Sequence, residues 1–122
     1  MINRMVVMVT MIVSLGPIAD VEAAKLQVAV NGTDGPQCGA SVATACRTIR
    51  RAITNAAPGD TIEVGPGRYG DVDGDGAFAS PGDEAAEVDA GCDCLVRVPP
   101  AKPVVIVSRL GASATILDAG GA

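Results

Sequence analysis

The stretch Thr48 to Gly70, TIRRAITNAAPGDTIEVGPGRYG, carries the clearest secondary-structure pattern in the chain. Its first half predicts an amphipathic helix, because apolar side chains recur at helical spacing at Ile49, Ala52, Ile53, Ala56 and Ala57. Thr44 or Thr48 can cap the start of this helix, and Pro58-Gly59 ends it. A helix of about ten residues is marginal alone, so we expect its apolar stripe to pack on another element.

A short strand and a glycine-proline turn follow this helix directly. TIEV at 61–64 predicts the strand, and Gly65-Pro66-Gly67 turns the chain after it. Gly59 lets the chain reverse out of the helix, and the Asp60 side chain can cap that turn. Four other short apolar runs between turn-forming residues predict further strands, at 25–32, 95–98, 104–107 and 115–117.

The composition allows one modest domain. The 122 residues are 48% apolar, and Tyr69 and Phe78 are the only aromatic residues. The core is therefore expected to consist of Val, Ile, Leu and Ala, which is typical of thin, repetitive β-structure. The sequence contains no histidine, and this excludes the usual nucleophilic triads.

Residues 1–23 have the layout of a secretory signal peptide. The eleven-residue apolar run Met5–Leu15 follows one positive charge, and small residues precede a cleavage point after Ala23. A transmembrane helix needs about 20 apolar residues. We therefore expect residues 24–122 to be secreted or displayed at the cell surface, without membrane association after cleavage; an uncleaved anchor is the alternative.

The chain is acidic, with 9 basic and 14 acidic residues, of which 8 and 12 remain after the expected cleavage. An acidic surface does not attract phosphate groups, and the sequence contains no basic patch with interleaved aromatic residues. Nucleic acid is therefore not expected as a partner.

Four cysteines in a chain that is expected to be exported predict disulfides. We expect Cys38 to pair with Cys46, which closes a short loop, and Cys92 and Cys94 either to form a tight bridge or to remain thiols. A zinc site is the alternative. The spacing of the cysteines differs from that of the usual zinc motifs, and histidine ligands are absent from the sequence.

Three segments carry a resemblance to a known family: VNGTDG at 30–35, CRTIRRAITNAAPGDTIEVGPGRY at 46–69 and VVIVSRLGASATILDAGG at 104–121. They resemble the N-terminal cap of secreted right-handed parallel β-helix proteins, the pectate-lyase-like superfamily. The signature of the capping helix and first strand is matched at Thr48, Ile49, Ala52, Ala56, Gly59, Asp60, Ile62, Val64, Gly67 and Tyr69.

The resemblance implies an all-β solenoid, namely the start of a right-handed parallel β-helix with an N-terminal capping α-helix. Residues 24–122 would supply this cap and the first coils, interrupted by an acidic insertion at 70–91. The expected β-helix is incomplete, because about three stacked repeats are needed for stability. We therefore expect self-association, or binding of a partner, at the open C-terminal end.

The resemblance also implies an extracellular polysaccharide as the partner. Lyases of this family use calcium to neutralise a uronate and a basic residue to remove the proton. Arg97 and Arg109 lie on or just after predicted strands, but their spacing does not pair them with an acidic cluster, and solvent exposure is the simpler interpretation. No catalytic constellation is predicted in this chain. If a longer protein is an enzyme, the resemblance implies a polysaccharide lyase or glycoside hydrolase with its catalytic residues beyond Ala122.

The acidic insertion supplies the candidate metal site. Asp71, Asp73 and Asp75 place three carboxylates at alternate positions before Gly76, a spacing that lets one tight loop surround a hard cation such as calcium. The glutamate that would complete a helix-loop-helix calcium site is replaced by Gly82.

Other acidic residues of the insertion offer a different closure of the metal shell. Asp83, Glu84 or Glu87 could supply the missing ligand from a loop of another shape. Eight acidic residues lie between Arg68 and Arg97 without a lysine or arginine among them. The alternative interpretation is a plain solvated acidic loop.

Two functions from different classes follow from these patterns. The first is a non-catalytic N-terminal segment of a secreted, polysaccharide-interacting β-helix protein. The second is a calcium-stabilised, non-enzymatic surface or adhesion module.

Overall fold

The computed structural model describes residues 23–84, 87–89 and 92–120. They form one α-helix, α1 (Ile49–Asn55), two 3-10 turns at Val42–Thr44 and Ala112–Ala114, and seven short strands. The strands are β1 (Lys25–Val28), β2 (Thr61–Val64), β3 (Gly67–Gly70), β4 (Glu87–Asp89), β5 (Cys92–Cys94), β6 (Val105–Ser108) and β7 (Thr115–Asp118). No helix in this described part of the chain is long and apolar enough to cross a membrane.

The strands pair in three small sheets. β1, β2 and β6 form a parallel sheet with β2 in the centre, and β3 and β7 form a second parallel sheet. β4, which lies in the acidic insertion, and β5, which directly follows the insertion, form an antiparallel pair. In the larger sheet Leu26, Ile62 and Ile106 are register partners, so one row of apolar side chains crosses all three strands.

The core lies between this larger sheet and the helix. α1 packs against β1 and β2, and it buries Ile49, Ala52 and Ile53, as its apolar spacing predicts. The same core contains strand residues such as Ile62, which is fully buried. Helix and strands therefore share one core, and the domain is a small mixed α/β domain.

The expected all-β solenoid is wrong. The helix was expected to close the end of a β-stack, but it supplies side chains to the same cluster as the strands. The described residues form two short parallel sheets, of three and two strands, whereas a solenoid needs about three or more stacked repeats. The fold class implied by the pectate-lyase-like resemblance, and the pectin lyase fold with it, is therefore corrected to mixed α/β.

Two of the predicted strands also differ from the structure. β1 ends at Val28 and does not reach Gly32, because Gly32 N donates to Ala29 O and turns the chain. The strand predicted at 95–98 is absent, since β5 ends at Cys94 and the backbone bends at Leu95. Prolines follow Val98 and cannot donate hydrogen bonds to a sheet. β3 is not among the predicted strands, and it begins at Gly67, the last residue of the predicted turn.

The two outer edges of the larger sheet differ in their hydrogen bonding to the rest of the chain. The outer edge of β1 is bonded to the 38–46 loop, since Gln27 N donates to Gly39 O and Ala29 N donates to Cys46 O. Among the described residues no strand pairs with the outer edge of β6, where Val105 and Val107 are 55% and 39% exposed. Self-association at this edge stays a prediction.

The predicted disulfide between Cys38 and Cys46 is confirmed. Crosslinks of this kind persist in oxidising compartments outside the cytosol. Cys94 is also disulfide-bonded. The predicted bridge to Cys92 involves a side chain that lies outside the described residues.

Asp34 holds the start of α1 from the neighbouring loop. Its carboxylate accepts hydrogen bonds from the backbone N–H groups of Arg47 and Thr48 at 2.8 and 3.0 Å, and from the Thr48 hydroxyl at 2.8 Å. Thr48, one of the two predicted caps, is the N-cap residue, and its side chain accepts from Arg51 N at 3.1 Å. Asp34 therefore fixes the residue that caps the helix.

We expect Asp34→Ala to lower the free energy of unfolding by about 1 kcal/mol, because three hydrogen bonds at a solvent-exposed helix start are lost. Asp34→Asn keeps one acceptor oxygen and should lose less. Urea unfolding of the two variants and the wild-type protein measures the difference. Equal midpoints for Asp34→Ala and the wild-type protein would contradict this role.

Candidate metal centre

Three carboxylates converge in the acidic loop, which we define as residues 71–84. Asp71, Asp73 and Asp83 each offer one oxygen, and these oxygens lie within 4.8 Å of one another. Calcium binds oxygen ligands at about 2.3–2.6 Å, so oxygens on opposite sides of one ion are about 5 Å apart. The three oxygens are thus close enough to share one cation.

Asp71 is the buried member of this group. It follows β3 directly, its N–H donates to Asp118 O at 2.9 Å, and its side chain is 1% exposed. The two carboxylate oxygens accept from Gly74 N and Gly76 N, both at 2.7 Å. Gly74 and Gly76 have φ angles of 75° and 80°, which L side chains rarely adopt. The glycines of the sequence motif therefore let the loop fold back around Asp71.

Asp83 and Asp73 are held by the far side of the same loop. Asp83 accepts from Val72 N at 3.0 Å and from Ser80 N at 2.7 Å. Asp73 accepts from the Ser80 hydroxyl at 2.5 Å and from Asp75 N at 3.2 Å. Ser80 thus contacts both carboxylates and brings the two halves of the loop together.

The hydrogen bonds also favour the charged form of Asp73. The Ser80 hydroxyl and then the backbone N–H of Asp75 hold the pKa of the Asp73 carboxyl below its ordinary value. Asp73 is exposed to solvent. It is therefore ionised at neutral pH, in the form that a metal ligand requires.

The three converging carboxylates of the loop place negative charge close together. Among the described residues, no lysine or arginine forms an ion pair with Asp71, Asp73 or Asp83. Arg68 pairs with Asp118, outside the loop, and Arg50 pairs at 3.5 Å with Glu84, the last residue of the loop. The Arg47 guanidinium donates to the carbonyl oxygen of Pro81 at 3.5 Å. Carboxylates this close repel one another, and a bound cation would relieve the repulsion.

The carboxylates that converge in the structure are not the same three that the sequence predicts as ligands. Asp71 and Asp73 lie together, while Asp75 is outside the group, and its side chain accepts from Ala77 N at 2.8 Å. Of the alternatives for closing the shell, Asp83 joins the group and Glu84 is buried beside Arg50. The Glu87 side chain lies outside the described residues. Metal binding by any of these residues stays a prediction.

The fit to calcium can be judged from the donor set. All three converging side chains are carboxylates, which suit hard cations such as calcium and magnesium. Each carboxylate has about four lone-pair sites, so oxygens that already accept backbone N–H groups can still face a cation. The three carboxylates therefore have the ligand type of a calcium site and would supply part of its about six to eight oxygen ligands.

A second cluster, of Asp34, Cys38 and Cys46, has side chains at comparable distances. The two sulfur atoms are bonded to each other, so they cannot act as thiolate ligands. This cluster is a disulfide beside a helix cap. Arg97 and Arg109, the basic residues that a lyase-like mechanism would need, are both exposed.

No model of a known protein family, no curated protein sequence and no solved structure matches this chain. The function is therefore argued from the geometry of the acidic loop.

Proposed function

We propose that the chain is a non-catalytic module of a secreted or cell-surface protein and that calcium stabilises it. The observation that carries the proposal is the convergence of Asp71, Asp73 and Asp83 within 4.8 Å. The Cys38–Cys46 disulfide supports an extracellular location, where calcium reaches the millimolar concentrations that weak extracellular sites require.

The loop is arranged so that one cation would brace several parts of the domain. Asp71 is bonded through its N–H to β7, and Glu84 N, at the end of the loop, donates to Gly70 O at 2.9 Å. Asp73 and Asp83 come from the two halves of the loop, which are 10 residues apart in sequence. A cation shared by the three carboxylates would tie the acidic loop to the sheet of β3 and β7.

We expect calcium to raise the melting temperature of the protein, because a ligand that binds only the folded state stabilises it by mass action. With a Kd of about 10⁻⁴–10⁻³ M, which is typical of extracellular modules, about 10 mM calcium stabilises by roughly 1.4–2.7 kcal/mol. Thermal unfolding followed by circular dichroism, in calcium and in chelator, measures this shift.

Two variants of the same loop sharpen this experiment. Asp83→Asn removes one converging carboxylate and should abolish the calcium-induced shift, while Asp75→Asn removes the same charge outside the cluster and should keep it. Because the measured quantity is the shift, any effect of either variant on the metal-free protein cancels. An equal melting temperature in calcium and in chelator for the wild-type protein would overturn the proposal. Loss of the shift in Asp75→Asn alone would favour the ligand set expected from sequence.

The polysaccharide partner that the resemblance implies stays a prediction. Sugar binding commonly uses exposed aromatic rings, and the sequence has only Tyr69 and Phe78. The Tyr69 ring is 3% exposed, its hydroxyl donates to Gly65 O at 2.9 Å, and burial raises the pKa of that hydroxyl. Tyr69 therefore belongs to the core, and Phe78, 37% exposed, is the aromatic ring that remains for a ligand.

A further inference from the structure

Asp60 is a buried carboxylate that faces the backbone nitrogen of Ala24. The nitrogen donates to Asp60 Oδ1 at 2.9 Å, and Asp60 Oδ2 accepts from Ala57 N at 2.7 Å. The Asp60 residue is 6% exposed. Within the described residues no lysine or arginine forms an ion pair with it, and Lys25, which follows Ala24, pairs with Glu63 at 3.4 Å. A buried carboxylate without a cationic side chain is costly unless another positive group approaches it.

Both partners of this contact are held in place by the larger sheet. Ala24 immediately precedes β1, and its carbonyl accepts from Thr61 N at 2.9 Å. Asp60 immediately precedes β2, and its own N–H donates to Ala57 O at 3.1 Å. Lys25 and Thr61, the next residues along each chain segment, are register partners. The distance between Ala24 N and Asp60 is therefore set by the pairing of β1 with β2.

We propose that Asp60 is the binding site for the α-ammonium group that cleavage after Ala23 creates at Ala24. The inference rests on the cleavage point that the sequence predicts. Hydrolysis of the bond between Ala23 and Ala24 consumes one water molecule and leaves a carboxylate on Ala23 and an amine on Ala24. This amine takes up a proton at neutral pH, because the pKa of an α-amino group is about 7.7–8.0.

Cleavage changes the strength of a contact whose geometry already exists. Before cleavage, Ala24 N belongs to an uncharged peptide group and donates one neutral hydrogen bond to Asp60. After cleavage, the same nitrogen carries a positive charge, and charge-assisted hydrogen bonds are roughly twice as strong as neutral ones. Ala24 is exposed, so the other ammonium protons can reach water. The processed form therefore gains an ion pair that fastens the start of β1 to the start of β2.

The test uses the protein that a cell secretes after it has processed the full chain. The chain is expressed in a secreting host, and the mass of the secreted protein identifies its first residue. The α-amino group is then acetylated at mildly acidic pH, where it is more reactive than lysine because its pKa is lower. Acetylation keeps the Ala24 N–H but removes the positive charge. We expect acetylation to lower the melting temperature by about 4–8 °C, the shift that one such interaction gives in a domain of this size.

Two variants assign the effect to Asp60. In Asp60→Asn, acetylation should leave the melting temperature unchanged, because the partner charge is absent. In Glu63→Gln, which removes the carboxylate that pairs with Lys25, the effect of acetylation should persist. A secreted product that starts elsewhere than Ala24, or equal melting temperatures for the free and acetylated wild-type protein, would overturn the proposal. The comparison of the free and acetylated wild-type protein tests the proposal even if Asp60→Asn does not fold.

Discussion

Ile62→Ala is expected to lower the free energy of unfolding by about 2–5 kcal/mol, the range for truncating a large buried aliphatic side chain. Ile62 lies on the central strand of the larger sheet, is fully buried, and has Leu26 and Ile106 as register partners. The substitution leaves a cavity in the core that the larger sheet shares with α1. A domain of this size has a total stability of about 5–15 kcal/mol, so the loss would be a large fraction of it.

Ile116→Ala is the matched control for this experiment. It makes the same chemical change on β7, where Ile116 is 47% exposed, so we expect a loss below about 1 kcal/mol. Urea unfolding of both variants gives the two losses of unfolding free energy. The slope of this free energy against urea concentration should stay unchanged. Similar losses for Ile62→Ala and Ile116→Ala would contradict a core between the larger sheet and α1.

Removal of the Cys38–Cys46 disulfide is expected to cost about 2–3 kcal/mol. The bond joins residues separated by 8 positions, and chain-entropy estimates give somewhat less than 3 kcal/mol for a loop shorter than 15 residues. The loop it closes covers the outer edge of β1, through Cys46 N to Gln27 O and Gln27 N to Gly39 O. Loss of the crosslink therefore also weakens the attachment of this loop to the outer edge of β1.

Two variants separate the crosslink from packing. Cys38→Ala breaks the bond and keeps the fully buried Cys46 side chain, whereas Cys38→Ala/Cys46→Ala removes both. We expect most of the loss in the first variant, measured by thermal or urea unfolding. Reduction of the wild-type protein is less selective, because Cys94 is also disulfide-bonded. A Cys38→Ala variant that unfolds at the wild-type midpoint would show that the crosslink contributes no stability.

Local patterns predicted the helix and the first strand of the segment 48–70. The strand at Thr61–Val64 has the predicted bounds, and the helix starts after its predicted Thr48 cap but ends at Asn55, before Pro58-Gly59. Their signals lie within a few neighbouring residues. Gly59 has a φ angle of 89° at the predicted reversal, and Asp60 accepts from Ala57 N within that turn. Short-range hydrogen bonds and spacing were sufficient for these features.

The fold class depended on contacts that these patterns do not contain. The sequence shows that the helix has an apolar face, but it does not show whether that face closes the end of a stack or shares a core with β1 and β2. Short parallel strands look alike in both arrangements, since each is an apolar run between turns. The resemblance favoured the stack, whereas the described residues form two short parallel sheets, one antiparallel pair and one α-helix.

The group of converging carboxylates also depends on contacts that sequence patterns do not contain. Asp71 and Asp73 are neighbours in sequence, so their proximity followed from spacing alone. Asp83 joins them because Ser80 and the glycine turns fold the loop back, through hydrogen bonds from Ser80 N and Val72 N to its carboxylate. Asp83 was one of three alternatives in sequence, together with Glu84 and Glu87, and the path of the loop brings its carboxylate to Asp71 and Asp73.

Calcium binding by the oxidised protein is the measurement to make first. Isothermal titration calorimetry in buffer freed of divalent cations should give one site for the wild-type protein, with a Kd in the range of about 10⁻⁴–10⁻³ M. Asp83→Asn should show no binding in this range. Absence of calcium binding to the folded wild-type protein, or equal binding by Asp83→Asn, would contradict a cation site formed by Asp71, Asp73 and Asp83.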